Sequence, residues 1–505
     1  MRWVSLAIEL LRTHPVPVFW AAALTQAALW TLVPSLFYSA PPGDLAEFLL
    51  AARETTLGNP FGPPLAYWLG EAAFRIGGMP GVYLLSQICV VVTFWAVFSL
   101  GRIVLGDRHA AIAVLLMGGV AAFGVPTAEF GAPVLAMALW SLVLLHVWRA
   151  VGQGRRLYWL AAGAEMGLLL ITTYSGFVLL GLLLVFLAAT RRGRAQFQSF
   201  EPLAGAAVTL LVFFPHLVFI EQTGALDSLR VVDGMAALTA SLGVWGGTLG
   251  VLAAGHGGLL ILLLVAHGIT FGRRGAAAAV ERPPVDPDGR RYVVFFALAP
   301  AVAIAAMALF GAGVDGFVAP ALVVLTALAV IAMAPDSIRI VHQRLVQYVW
   351  VALVVLPPAI VAAAVMLLPW TTGIGLRIAQ PAAEMGRFFA ENFERRTGRP
   401  LAVVTGDRRT AALVALTAPS RPRLYLLDDP QRSPWVTAQD IAAKGAVVMW
   451  PTATTRGVAP PSIQKHLPEL VPELPRVFER SFLGWLSPMR IGWSVIRPPA
   501  AERPR

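Results

Sequence analysis

Asp44 and Glu47 stand three residues apart in Tyr38-Ser39-Ala40-Pro41-Pro42-Gly43-Asp44-Leu45-Ala46-Glu47, just after the first apolar run of a very hydrophobic chain. Carboxylates at a membrane edge can take a proton, hold a metal or bind a polar head group. If the chain is an enzyme, its base is sought first at this pair. The same spacing also predicts a helix start, with Asp44 as N-cap and Glu47 completing a capping box. The two readings are compatible, because a capping carboxylate still presents an oxygen to substrate.

Other residues of interest lie at intervals along the chain. Glu129 is in the turn Pro126-Thr127-Ala128-Glu129-Phe130-Gly131. His216 and Glu221 flank one end of an apolar run, where ionisable groups are functional suspects. Glu165 reads either as a buried paired carboxylate or as a group near the inner surface. His146, His256 and His267 read as packing or interfacial residues, and no two histidines stand at metal-ligand spacing. The single cysteine, Cys89, lies in an apolar run and leaves no disulfide framework.

The elements that position these groups follow from composition. Of 505 residues, 57% are hydrophobic and 13% charged, and the mean hydropathy is +0.70, which water-soluble packing does not explain. The chain reads as a polytopic α-helical membrane protein with about eleven transmembrane helices. Their positions are 16–37, 81–104, 110–126, 131–148, 157–173, 175–190, 202–220, 247–270, 292–311, 316–334 and 346–370. The first has no small-residue cleavage site after it and reads as a retained helix. With a cytoplasmic N-terminus, the inside segments hold Arg102, Arg108, Arg149, Arg155, Arg156, Arg191, Arg192, Arg194 and more. The outside segments before the last span hold only Arg53, Arg75 and Arg230. That asymmetry is what the positive-inside rule demands. The net charge of +11 then reflects topology and a basic tail, so nucleic acid is not expected as a partner.

The expected domains are a transmembrane region, 1–374, with outer loop helices in 38–80, and a soluble outer α/β domain, 375–505. In the loop, Leu45 to Thr56 reads as an amphipathic helix stopped by Gly58-Asn59-Pro60. Pro63-Pro64 start a second, which carries Tyr67, Trp68 and Phe74, with Glu71 and Arg75 four apart; Gly77-Gly78 end it. The segment 272–291 reads as a flexible linker. In the tail, helices are predicted at 384–397, 409–418 and 438–444, and strands at 401–404, 423–427, 446–450 and 491–496. This alternation suggests a small parallel or mixed sheet. No glycine-rich phosphate loop occurs in it, so it reads as a docking or substrate-selecting cap. Trp370, Trp435, Trp450 and Trp485 read as interface anchors or packing residues rather than sugar-stacking platforms.

Four short motifs follow one another: Gly43-Asp44-Leu45-Ala46-Glu47, Gly62-Pro63-Pro64-Leu65-Ala66-Tyr67-Trp68, Glu129 before Gly131-Ala132-Pro133, and Thr173-Tyr174-Ser175-Gly176. With the outer tail, this order resembles the GT-C membrane glycosyltransferases. The nearest group is the bacterial one related to protein mannosyltransferases and the aminoarabinose transferase that modifies lipid A. Two positions depart from the pattern. Gly62 stands where a Lys or His often precedes Pro-Pro, and Thr173 where a Lys is common.

The resemblance implies an inverting glycosyltransferase that moves a sugar from a polyprenyl-phosphate donor to an envelope lipid, glycan or protein acceptor. Asp44 would be the general base, and Glu47 and Glu129 would orient acceptor or metal. Tyr67, Trp68, Tyr174, His216 and Glu221 are pocket candidates. The leaving lipid phosphate calls for cations, and charge alone nominates Arg53, Arg75 and Arg230. No cofactor is fixed, and a divalent metal ion stays an open candidate. The implied setting is the bacterial inner membrane, with the C-terminal domain in the periplasm. The rivals are a transporter or flippase of lipid-linked substrates and a non-catalytic membrane scaffold.

Overall fold

The computed structural model of the chain describes residues 2–223, 250, 252–267, 278–309, 323–479, 485 and 488–499. The chain forms two compact units. One comprises residues 1–32, 63–66 and 82–358; the other comprises 33–62, 67–81 and 359–505. Loop segments expected to belong with the membrane helices thus cluster with the C-terminal residues.

Among the described residues, five helices are long and apolar enough to cross a membrane: Pro15–Phe37, Leu65–Leu105, Ala132–Val151, Glu201–Thr223 and Gln343–Thr371. A sixth candidate is broken, with Asp107–Met117 and Ala121–Ala128 meeting at a bend of 80°. The expected spans at 157–173 and 175–190 are shorter helices, Tyr158–Leu170 and Gly176–Ala189. Between them Thr172 turns its hydroxyl back onto the Leu168 carbonyl at 2.8 Å, a bond that competes with helix continuation. The expected spans at 247–270, 292–311 and 316–334 lie partly outside the described residues.

In the first unit, side chains as large as Trp140, Tyr292 and Phe296 are fully buried. The Tyr292 hydroxyl donates to the Leu144 carbonyl at 2.7 Å, so its one polar atom is satisfied. The expected linker holds a strand. Strand β1, Ala278–Glu281, pairs antiparallel with β2, Ser337–Ile340, in the register Ala278↔Ile340 to Glu281↔Ser337. Arg282, which follows β1, is buried. It donates to Asp336 at 3.0 Å and to the Ile331 and Ala334 carbonyls at 2.8 and 2.6 Å. A guanidinium thereby satisfies carbonyls at the C-terminal end of the helix Thr326–Met333.

The second unit is built on a five-stranded sheet in the order β4-β3-β5-β7-β6. The strands are β3 Val403–Gly406, β4 Arg423–Leu424, β5 Ala446–Pro451, β6 Arg476–Phe478 and β7 Met489–Ile496. β3 runs parallel to both β4 and β5, whereas β5–β7 and β6–β7 are antiparallel, so the sheet is mixed. Helices Ala382–Thr397, Arg408–Thr417 and Ala438–Lys444 lie close to their predicted positions. Strand β6 is the one element of this sheet without a predicted counterpart. It is three residues long and pinned by packing of Phe478 against Phe388 and Phe389 rather than by its own pattern.

Candidate functional site

The loop helix Leu45–Glu54 forms because Leu45, Ala46, Leu49, Leu50, Ala51 and Ala52 give one continuous buried face. It ends at Glu54, two residues before the expected Thr56 and ahead of Gly58-Asn59-Pro60. The Asn59 side chain bonds Thr55 Oγ1 and the Phe61 amide, each at 2.7 Å, in a turn that suits Asn. Tyr67 stacks on Phe48 with ring centroids 4.5 Å apart, and Trp68 Nε1 donates to the Thr56 carbonyl at 2.8 Å. The helix that starts after Pro64 changes course at Gly78 (φ 59°, ψ −150°), a conformation open essentially only to glycine.

The expected capping box does not form. Asp44 occupies the N-cap position, but its side chain makes no cap hydrogen bond. Both carboxylates instead meet arginines from the sheet helix Arg408–Thr417. Arg408 Nε donates to Glu47 Oε2, and Arg409 Nη2 is 3.6 Å from Asp44 Oδ1. A full positive charge outbids a backbone amide for a carboxylate. The two acids differ in exposure: the Glu47 side chain is 12% exposed and the Asp44 side chain 60%. Burial pushes the Glu47 carboxyl above the usual carboxylate range, against the opposing pull of Arg408.

Two further ion pairs join the same segments within this unit. Arg423 Nε donates to Glu54 at 2.9 Å, and Arg421 bonds both oxygens of the buried Glu71 at 3.3–3.4 Å. Arg421 also lies over the Phe74 ring, 5.1 Å from its centroid. Its φ of 45° is unusual for a residue with a side chain, and these contacts hold it there.

Arg408 and Arg409 owe their place to a tight turn. Strand β3 ends at Gly406, whose φ is 114°. A Cβ there would collide with the Met449 backbone on β5. The Asp407 amide then bonds the Met449 carbonyl at 2.7 Å, while its carboxylate caps the helix by accepting from the Thr410 amide at 3.0 Å. The helix therefore begins with two adjacent arginines.

Two of the nominated cations have partners of their own. Arg75 pairs with Glu71 at 2.8 Å, as the four-residue spacing predicts, and Arg53 donates to the Arg421 carbonyl. Arg230 lies outside the described residues. Arg408 and Arg409, which do reach the acidic pair, carried no local signal. They follow Gly406-Asp407 at the end of a strand, and only the sheet topology gives that position meaning.

The remaining candidates fall in the first unit. Glu129 is exposed, in a turn held by buried polar contacts: Gln26 Nε2 to the Phe123 carbonyl at 2.7 Å, Gln87 Nε2 to Thr127 Oγ1 at 2.9 Å, and Ser86 to the Thr127 carbonyl. Tyr174 and His216 come together, hydroxyl to Nε2 at 3.1 Å, with His216 buried. Glu221 is exposed near the end of the helix Glu201–Thr223. Glu165 is a paired carboxylate, 2.7 Å from His146 Nδ1.

Among the described residues, no three His, Cys, Asp or Glu side chains converge as a metal site. Asp44 and Glu47 face guanidinium cations.

Residues 62–219 match the model of the dolichyl-phosphate-mannose-protein mannosyltransferase family. No curated protein matches the chain in sequence. Two crystal structures of ArnT from Cupriavidus metallidurans are similar in fold. The one bound to undecaprenyl phosphate has a TM-score of 0.57 at 14% identity, covering 97% of this chain and 99% of that one. The apo form has a TM-score of 0.56 at 14% identity, covering 95% and 97%. The chain is a multi-pass membrane protein with the fold of the GT-C membrane glycosyltransferases.

Proposed function

We propose that the chain is an inverting glycosyltransferase that moves a sugar from a polyprenyl-phosphate donor to an envelope lipid, glycan or protein. The observation that carries this reading is the acidic pair Asp44–Glu47 on a loop helix of a GT-C fold, with arginines at the same carboxylates. The family match over 62–219 and the fold shared with ArnT bound to undecaprenyl phosphate support it.

In this reading an acceptor hydroxyl attacks the anomeric carbon from the face opposite the phosphate. Asp44, exposed and without a capping bond, takes the hydroxyl proton. The bond from the anomeric carbon to the phosphate oxygen breaks, and the lipid phosphate leaves as a stable anion that needs positive charge more than a proton. Glu47, partly buried and held by Arg408, keeps the loop helix in register and orients the acceptor. The arginine asymmetry supports a cytoplasmic N-terminus in the bacterial inner membrane, with residues 375–505 in the periplasm.

The test is deletion of the gene followed by mass analysis of envelope glycolipids, glycans and glycoproteins. Loss of one sugar from one class, restored by the wild-type gene but not by Asp44→Asn, is the expected result. An unchanged envelope under expression conditions would contradict the reading.

A further inference from the structure

The two departures from the family pattern, Gly62 and Thr173, leave two uncharged residues where cations are common. The second unit sets two cations of its own beside the acidic pair. Arg408 and Arg409 lie on the acidic pair, and both guanidiniums are about half exposed, at 46% and 53%. Arg408 donates to Glu47 through Nε, and Arg409 approaches Asp44 with Nη2. A guanidinium has five N–H donors in a planar fork, which suits bidentate binding of phosphate.

Their position in the sheet supports a ligand role. β3 lies between β4 and β5 and is parallel to both. The connection through Arg408–Thr417 leads from β3 to β4 on one side, and the one through Ala438–Lys444 leads from β4 to β5 on the other. The carboxyl end of β3 is therefore a topological switch point, the place where open α/β sheets bind ligands. Residues 407–409 occupy it, with Asp44 and Glu47 against them.

We propose that Arg408 and Arg409 are the donor-phosphate cations of this chain, exchanged between the Asp44–Glu47 carboxylates and the lipid phosphate. The inference rests on the transferase reading of Asp44. A sugar-bearing polyprenyl phosphate is a diester with one negative charge. As the glycosidic bond breaks, the phosphate gains charge and draws the guanidiniums more strongly. The arginines thus stabilise the leaving group most when charge develops on it. Departure of Arg409 removes a cation that opposes protonation of the Asp44 carboxylate, so phosphate capture and the rise in basicity of Asp44 are one event.

The experiment measures binding of undecaprenyl phosphate, and of undecaprenol without phosphate, to the purified full chain in nanodiscs. Wild type is expected to prefer the phosphate form by about tenfold or more, and Arg408→Gln or Arg409→Gln to lose most of that preference. Arg408→Lys should keep part of it. Arg423→Gln, which breaks only the Glu54 pair, should leave it unchanged. Glu47→Gln removes a competitor for Arg408 and should tighten phosphate binding several-fold, which a merely structural arginine would not produce. A folded Arg408→Gln/Arg409→Gln double variant with wild-type preference would overturn the proposal while leaving the transferase reading intact. A wild type indifferent to the phosphate would overturn both. Should the glutamine variants fail to fold, Glu47→Gln decides, and unchanged or weaker binding would refute the proposal.

Discussion

Arg408 Nε donates to Glu47 Oε2 across 361 positions of sequence, and the carboxylate it holds is 12% exposed. The pair fixes the loop helix to the sheet helix within one unit. Burial nevertheless outweighs the arginine and keeps the Glu47 carboxyl above its ordinary range. The folded state therefore holds this proton more tightly than the unfolded chain does. The stability that this proton gives is fully present below the unfolded carboxyl value, about 4.3. It is lost as pH rises through the raised folded value. Glu47→Gln, which stays neutral, should match wild type in Tm near pH 4 and exceed it by a few degrees at pH 7. Thermal unfolding followed by tryptophan fluorescence across this range checks the prediction; a Glu47→Gln protein less stable than wild type at pH 7 would contradict it.

Gly406 is where the fold commits its backbone to placing Arg408 and Arg409. With φ at 114° and the Met449 backbone in the way of any Cβ, Gly406→Ala should cost at least about 2 kcal/mol and displace the arginines. Gly398→Ala is the control: its φ is 67°, yet no atom lies within 4 Å of the added carbon. It should cost about 1 kcal/mol. Denaturant titration of the two variants separates the conformational effect from the collision.

His146 and Glu165 form a pair 2.7 Å apart, with side chains 11% and 14% exposed. Removing one partner strands the other, whereas removing both strands nothing. His146→Leu should destabilise by about 2–4 kcal/mol, and His146→Leu/Glu165→Leu should recover most of that loss. The cycle is read from unfolding in detergent micelles. Additive losses would mean that the pair carries no coupling.

Much of the second unit is written locally. The alternation around Val403, Ala446 and Ile491 predicts three strands of the sheet, and Pro64 and Gly78 mark where the loop's second helix begins and breaks. The loop helix at Leu45 is legible for the same reason, since its apolar residues recur at helical spacing. The spacing of Asp44 and Glu47 predicts a capping box, which tertiary contacts override: two arginines more than 360 positions away claim both carboxylates. Strand β1 lay hidden in what reads as a linker, because its partner β2 is over fifty residues downstream and its order comes from pairing. The hydropathy pattern locates apolar runs well, but it does not distinguish a full span from the shorter helices Tyr158–Leu170 and Gly176–Ala189, which share one apolar stretch.

Asp44 is the proposed base. The most direct measurement is turnover by purified protein in liposomes, comparing wild type with Asp44→Asn on a labelled polyprenyl-phosphate sugar and the acceptor identified by gene deletion. The carboxamide keeps the shape and the Arg409 contact but cannot take a proton. The expected result is a fall in kcat of about 10²–10⁴-fold with little change in KM for the donor. A folded Asp44→Asn protein that turns over at the wild-type rate would contradict it.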